Sequence, residues 1–113
     1  MAHLNYVELP ATDYAKSKAF YADVFSLNLT DYGTSYCSTT TGLADLSLQG
    51  DASAATPAPL PVILVDDLEA ALVSVINGGG TIVRPIFAFP GGRRFHFRDP
   101  SGNEVAAWVH AVP

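Results

Sequence analysis

Two side chains in this chain, His96 and Asp45, are suited to moving protons. A histidine donates or accepts a proton near neutral pH, and acid–base catalysis without a metal needs a titratable partner within hydrogen-bond reach. Tyr6, Tyr36 and Trp108 add aromatic surface with polar edges. If these five converge, they have the usual make-up of a small-molecule site, an aromatic wall with a few polar groups. The plainer alternative for His96 is an exposed strand histidine between Arg94 and Arg98 with no role. Trp108 is equally at home in a core or an interface. Arg93 and Arg94, after Pro90-Gly91-Gly92, could anchor an anion or form a solvated pair. His3 and His110 sit near the chain ends, where solvation is expected rather than metal binding.

The familiar catalytic signatures are missing. No Gly-rich phosphate loop follows a strand, and there is no Gly-x-Ser-x-Gly and no His-Glu-x-x-His. Gly78-Gly79-Gly80 follows a helix signal, which makes it a helix stop and not a phosphate cradle. Cys37 is the only cysteine, so an internal disulfide and a cysteine-based zinc site are both excluded. It reads as a small hydrophobe or a surface thiol.

The elements that must position these residues recur. Residues 4–9 read as a strand, and Thr12-Asp13 supply cap chemistry for a helix running to about Phe25. Its apolar positions are Tyr14, Ala15, Ala19, Phe20, Ala22, Val24 and Phe25. Between 28 and 48, Thr, Ser, Tyr and Leu punctuated by Gly33 and Gly42 predict two or three short strands. Residues 49–59 have no periodicity and read as a linker. Val62-Ile63-Leu64-Val65 is then a strand, Asp66-Asp67 a cap, and Leu68 to Ile76 a helix. Strands follow at about 81–85, 93–98 and 103–109. An offset of 54 places Tyr6 on Leu60, Thr12 on Asp66 and Asp13 on Asp67, which points to two half-modules, about 4–48 and 60–110. Each half is strand, helix, three strands. Such halves bury their apolar faces by packing, giving an α+β domain with helices outside two mostly antiparallel sheets and a cleft between them.

Composition agrees with one globular domain of 113 residues. Hydrophobic residues make up 49% and charged residues 15%, with a mean hydropathy of +0.22, which argues against disorder and for burial that includes a subunit interface. A homodimer is expected. The net charge is −5 and the six Lys and Arg are scattered, so the basic stripe that nucleic-acid binding requires is absent. No apolar run approaches the ~20 residues of a membrane span, and the first residues lack a signal-peptide pattern. A soluble, cytoplasmic protein without a membrane partner is expected.

Three segments carry a family resemblance. They are Val7-Glu8-Leu9-Pro10-Ala11-Thr12-Asp13 with Ser17-Lys18-Ala19-Phe20-Tyr21, then Val65-Asp66-Asp67-Leu68, and then Phe97-Arg98-Asp99-Pro100-Ser101-Gly102-Asn103. The last is a hairpin turn in its own right: Asp caps it, Pro presets φ, and Gly takes a positive φ at the exit. In this order the chain resembles the vicinal oxygen chelate superfamily, the glyoxalase, bleomycin-resistance and extradiol-dioxygenase group, and most of all its short single-module branch. The resemblance implies tandem βαβββ modules forming curved sheets around a cleft. It also implies a divalent metal on four strands, one ligand from each, that stabilises an enolate or related anion of the substrate.

Carried over by position, the four ligand sites are Tyr6, Asp45, Leu60 and Ala106. Only Asp45 has a donor of the usual kind; Leu60 and Ala106 have none, and a neutral tyrosine is a poor match. The inherited metal site is therefore expected to be absent, with no other cofactor implied. The resemblance also places His96 where related fosfomycin-resistance enzymes have a substrate-contacting tyrosine. Strand alternation puts Glu8, Glu104 and Trp108 on the same face as the ligand positions, with Ser47 beside Asp45. The favoured expectation is a metal-independent binder of a small organic molecule in a dimer cleft, lined by Tyr6, Tyr36, Asp45, Leu60, His96, Ala106 and Trp108. A second is a lyase or isomerase of the same superfamily with an altered or metal-free site using His96 and Asp45. A third is a regulatory or interaction domain with a vestigial cleft.

Overall fold

The computed structural model describes residues 2–112. Its elements run β1 (His3–Pro10), α1 (Tyr14–Phe25), β2 (Thr30–Asp31), β3 (Tyr36–Ser38), β4 (Asp45–Gln49), β5 (Leu60–Leu64), α2 (Leu68–Asn77), β6 (Thr81–Phe89), β7 (Gly92–Arg98) and β8 (Glu104–His110). The chain divides into two compact units, residues 5–60 and residues 61–112, the latter grouping with the first residues up to Leu4. Each unit has the predicted α+β order of strand, helix and three strands.

In the first unit the strands lie in the order β2-β3-β4-β1. β2 and β3, and β3 and β4, are antiparallel, whereas β1 and β4 are parallel, with Tyr6 opposite Asp45 and Glu8 opposite Ser47. Asp13 caps α1, its carboxylate accepting the backbone N–H of Lys16. One face of this sheet carries Leu9, Ala11, Cys37 and Leu48, which pack with Leu29 and with Tyr14 and Tyr21 of α1. Cys37 is fully buried there, as a small hydrophobe. Phe20, Val24 and Phe25, at apolar positions of the predicted helix, are each more than half exposed. The helix ends without a glycine: Ser26 takes the left-handed conformation at φ 56°.

The second unit repeats the plan with strand order β5-β8-β7-β6. β5 and β8 are parallel, with Val62 opposite Ala106; β7 is antiparallel to both β8 and β6. Asp67, 54 residues after Asp13, caps α2 by accepting the N–H of Ala70. The helix closes at the glycine run, where Gly79 takes φ 96°. Leu68, Ala71, Leu72 and Val75 of α2 pack against Phe95, Phe97, Ala107, Val109, Ile82 and Ile86. The Asp99–Gly102 turn has the predicted geometry: the Asp99 carboxylate accepts the N–H groups of Ser101 and Asn103, and Gly102 takes φ 89°.

β6 departs most from expectation. It runs to Phe89 rather than stopping near 85, crossing Pro85 with two register shifts between Ile82 and Phe87. Within its unit's sheet β6 is terminal, where a residue without an N–H is tolerated. The irregularities re-aim its side chains. Ile82 and Ile86 reach the core under α2, while Arg84, opposite His96, and Phe87, opposite Arg94, turn to the other face. No helix among the described residues is long and apolar enough to cross a membrane.

Candidate functional site

Each sheet has one face covered by its helix. The opposite face carries the polar and ionisable residues, several of them buried. In the first unit these are Tyr6, Glu8, Tyr36, Ser38, Asp45 and Ser47. Glu8 is 2% exposed and Ser47 is 1% exposed. A carboxylate at that depth needs partners. Tyr36 supplies one, its hydroxyl donating to Glu8 Oε1 at 2.9 Å. Burial pushes the Tyr36 phenol above its ordinary range, and the negative charge of Glu8 adds to the effect. Tyr36 is therefore a neutral donor. Ser47 donates to Ser38 Oγ, which donates to the Thr39 carbonyl, so this network runs from β1 across β4 and β3.

Asp45 has a different occupation. Its carboxylate accepts from the hydroxyls of Thr39 and Thr41 and from the backbone N–H groups of Thr41 and Gly42, all at 2.7–3.0 Å. Partial desolvation acts to raise its pKa, but these hydrogen bonds outweigh it and hold the group below the usual carboxylate range. Asp45 clamps the connection between β3 and β4.

In the second unit, the helix-free face gathers a denser set. His96 and Arg94 of β7 are 2% and 7% exposed, and Ala106 and Trp108 of β8 stand directly opposite them. The His96 Nδ1 atom lies 2.8 Å from Glu104 Oε2. Burial lowers the His96 pKa below its ordinary value; the hydrogen bond to Glu104 opposes this, and the positive charges of Arg94 and Arg84 reinforce it. The imidazole is thus neutral at pH 7. With a carboxylate at Nδ1, the proton belongs on Nδ1 and Nε2 carries the lone pair. Nε2 is buried and has no hydrogen-bond partner among the described residues.

Aromatic rings surround this group. The Phe87 ring centroid is 5.9 Å from that of His96, Phe89 is 6.0 Å from Trp108, and His110 meets the Trp108 ring edge-on at 4.4 Å. The Arg94 guanidinium sits 5.5 Å from both Phe87 and Phe89, and that of Arg84 lies 3.7 Å over Phe87. Arg93 points the other way, as alternation requires, and its guanidinium pairs with Glu69 of α2.

The structure thus gathers His96, Ala106 and Trp108 on one face of the second unit, and Tyr6, Tyr36 and Asp45 on one face of the first. Leu60 opens β5 and is fully buried. His96 and Asp45 belong to different units, and each carboxylate or imidazole has its own local partner. Sequence reasoning had Glu104 on the correct face but not as the partner of His96. The signal was present: the Asp99–Gly102 turn sets a register in which Arg98 faces Glu104 and His96 faces Ala106, making Glu104 the diagonal neighbour of His96. Phe87 and Phe89 were hidden by the strand end expected at 85.

The registers also bear on the four positions at which the resemblance implies metal ligands. The offset of 54 places Glu8 on Val62, whose partners are Ser47 and Ala106 respectively. Ser47, two residues beyond Asp45, is therefore the counterpart of Ala106. A phenol, an alcohol and two aliphatic side chains do not make a donor set for a divalent ion, and Asp45 is committed to its loop. No three His, Cys, Asp or Glu side chains gather into a metal-binding group among the described residues.

Comparison with known proteins agrees with this architecture. The family model described as Glyoxalase/Bleomycin resistance protein/Dioxygenase superfamily matches residues 3–107. Proteins of Mycobacterium bovis and Mycobacterium tuberculosis named "Putative glyoxylase CFP32" are 31% identical over 118 residues, an alignment covering 92% of this chain. The chain spans 44% of the length of these relatives. Among solved structures, methylmalonyl-CoA epimerase from Mycobacterium tuberculosis matches with a TM-score of 0.77 at 16% identity, over 97% of this chain and 88% of that one. Homoprotocatechuate 2,3-dioxygenase from Arthrobacter globiformis matches with a TM-score of 0.71 at 21% identity, over 96% of this chain and 36% of that one. At such identities the structural likeness is one of fold alone. The family model and the mycobacterial relatives go further, and on their evidence the chain belongs to the glyoxalase/bleomycin resistance protein/dioxygenase superfamily.

Proposed function

We propose that this protein binds a small, partly aromatic organic molecule without a metal ion, in the clefts of a homodimer. The observation that carries the reading is the helix-free face of the second unit, where the Arg94 guanidinium lies 5.5 Å from both Phe87 and Phe89 beside His96 and Trp108. Aromatic walls with a few fixed polar groups are what small-molecule sites are made of. The donor set supports metal independence, because Tyr6, Leu60 and Ala106 offer no ligand of the usual kind. The dimer reading rests on composition, with 49% hydrophobic residues against 15% charged ones.

Elemental analysis of protein purified without a histidine tag, paired with native mass spectrometry, tests the reading. The expected result is a dimer mass, no stoichiometric divalent ion, and either a retained organic ligand or uptake of aromatic fragments. A stoichiometric divalent ion would overturn metal independence. Failure of every aromatic fragment to bind would favour a vestigial face.

A second reading has its own observation. The His96 and Glu104 pair, with a neutral imidazole, is suited to acid–base chemistry, and the mycobacterial relatives carry a glyoxylase name. In that reading Glu104, in place of Asp45, orients the histidine.

A further inference from the structure

We infer that His96 Nε2 is a hydrogen-bond acceptor that selects ligands bearing a neutral O–H donor on an aromatic frame. The inference rests on the binding reading above and specifies what the site accepts. Its first support is geometric. Nδ1 is held 2.8 Å from a carboxylate oxygen of Glu104, the acceptor that a ring N–H needs, so the geometry assigns Nδ1 as the donor. Nε2 is then an acceptor only. It is buried, in a side chain 2% exposed, and no described residue donates to it. An unmet buried acceptor costs about 1–3 kcal/mol, a cost that a bound donor removes.

The surroundings decide which donor. Arg94 and Arg84 place two positive charges near the imidazole, which disfavours its protonation and equally disfavours a cationic donor such as an ammonium. A neutral hydroxyl remains, and the same positive field stabilises the partial negative charge that builds on its oxygen as it donates. Phe87, 5.9 Å from His96 and stacked beneath Arg84, supplies an apolar wall for the frame that carries it. Glu104 acts here as a positioning residue. It sets the tautomer without needing to touch the ligand, in the way an outer partner fixes a metal-bound histidine.

Matched probes and a spectroscopic readout test this. The probes are 2-naphthol and its methyl ether, 2-methoxynaphthalene, titrated into the full chain by NMR. The naphthol is expected to bind at least about tenfold more tightly than the ether. His96→Phe should abolish that preference while leaving ether binding in place, and His96→Gln, which keeps an acceptor, should retain part of it if the phenylalanine variant fails to fold. Independently, 15N spectra of the imidazole should show His96 in the Nδ1–H tautomer at pH 7, and Glu104→Gln should lower the population of that tautomer. Equal binding of both probes by the parent protein overturns the inference and leaves the binding reading intact. If neither probe binds, the inference falls, while the binding reading is decided by the retained ligand and the wider set of aromatic fragments. An Nε2–H tautomer, or a buried water as the sole partner of Nε2 when naphthol is present, also overturns it.

Discussion

Glu104 Oε2 reaches His96 Nδ1 at 2.8 Å, although the residue facing His96 across the β7 and β8 ladder is Ala106. The alanine makes the contact possible. A long side chain at 106 would occupy the space over the imidazole, and Glu104 can lean along the strand only because its neighbour two residues on ends at Cβ. The position at which the family resemblance implies a metal ligand has become the gap through which a carboxylate orients a histidine.

This pair makes stability depend on pH. Burial lowers the His96 pKa below the ordinary 6.5, with the Glu104 hydrogen bond opposing and the Arg94 and Arg84 charges assisting. The unfolded chain therefore binds a proton here at higher pH than the folded chain does. The contribution of His96 to stability is fully present above the unfolded value and is lost as pH falls below it toward the folded value. Thermal melting should drop between about pH 7.5 and pH 5.5, above the range in which carboxylates titrate, and His96→Gln should flatten that part of the profile. A parent protein that gains stability across the interval would contradict the assignment.

Asp45→Ala should destabilise the fold by about 2 kcal/mol, through the four donors that its carboxylate serves. Hydrogen exchange should speed up first at the amides of Thr41 and Gly42. Binding of an aromatic fragment on the second unit should survive. Loss of binding with unchanged exchange would instead give Asp45 a place in the site.

Tyr36→Phe removes one donor from a carboxylate that is 2% exposed. The cost should be about 1–3 kcal/mol in chemical denaturation, since the hole left is small and the penalty is electrostatic. Glu8→Gln in the same background should recover part of the loss, because an amide is cheaper to bury with fewer donors. An additive double mutant would show that the two side chains do not interact.

Gly92→Ala should be among the most damaging single-methyl additions in the chain. A Cβ there would come within 1.9 Å of the Val109 carbonyl oxygen, so backbone rather than a flexible side chain would have to move. We expect a loss of about 3 kcal/mol or more and poor expression, read by thermal melting of whatever folds. Gly91, one residue earlier, faces only the Phe89 ring and should accept alanine far better.

Local chemistry carried much of the architecture. Asp13 and Asp67 act as caps because each precedes an apolar-periodic segment and has a short side chain that reaches the N–H three residues on. The Asp99–Gly102 turn and the stop at Gly79 were legible for similar reasons, since few residue types satisfy those backbone angles. Where the local rule had a tertiary exception, the sequence misled. The strand expected at about 81–85 continues past Pro85 to Phe89, and Ser26 closes a helix without a glycine. Both hide in the sequence because their tolerance depends on what lies alongside.

The sequence by itself determined the element order, the repeat at 54 and the lack of a donor side chain at Leu60 and Ala106. These follow from side-chain type and spacing along one chain, which need no knowledge of neighbours. Only the tertiary structure decided that Ser47 rather than Asp45 is the counterpart of Ala106, that Asp45 serves its own loop, and that His96 answers to Glu104. Those outcomes depend on strand register and on burial. A shift of one residue reverses the face on which every side chain lies, and a polar group chooses its partner by which donors remain within about 3 Å once water has been excluded.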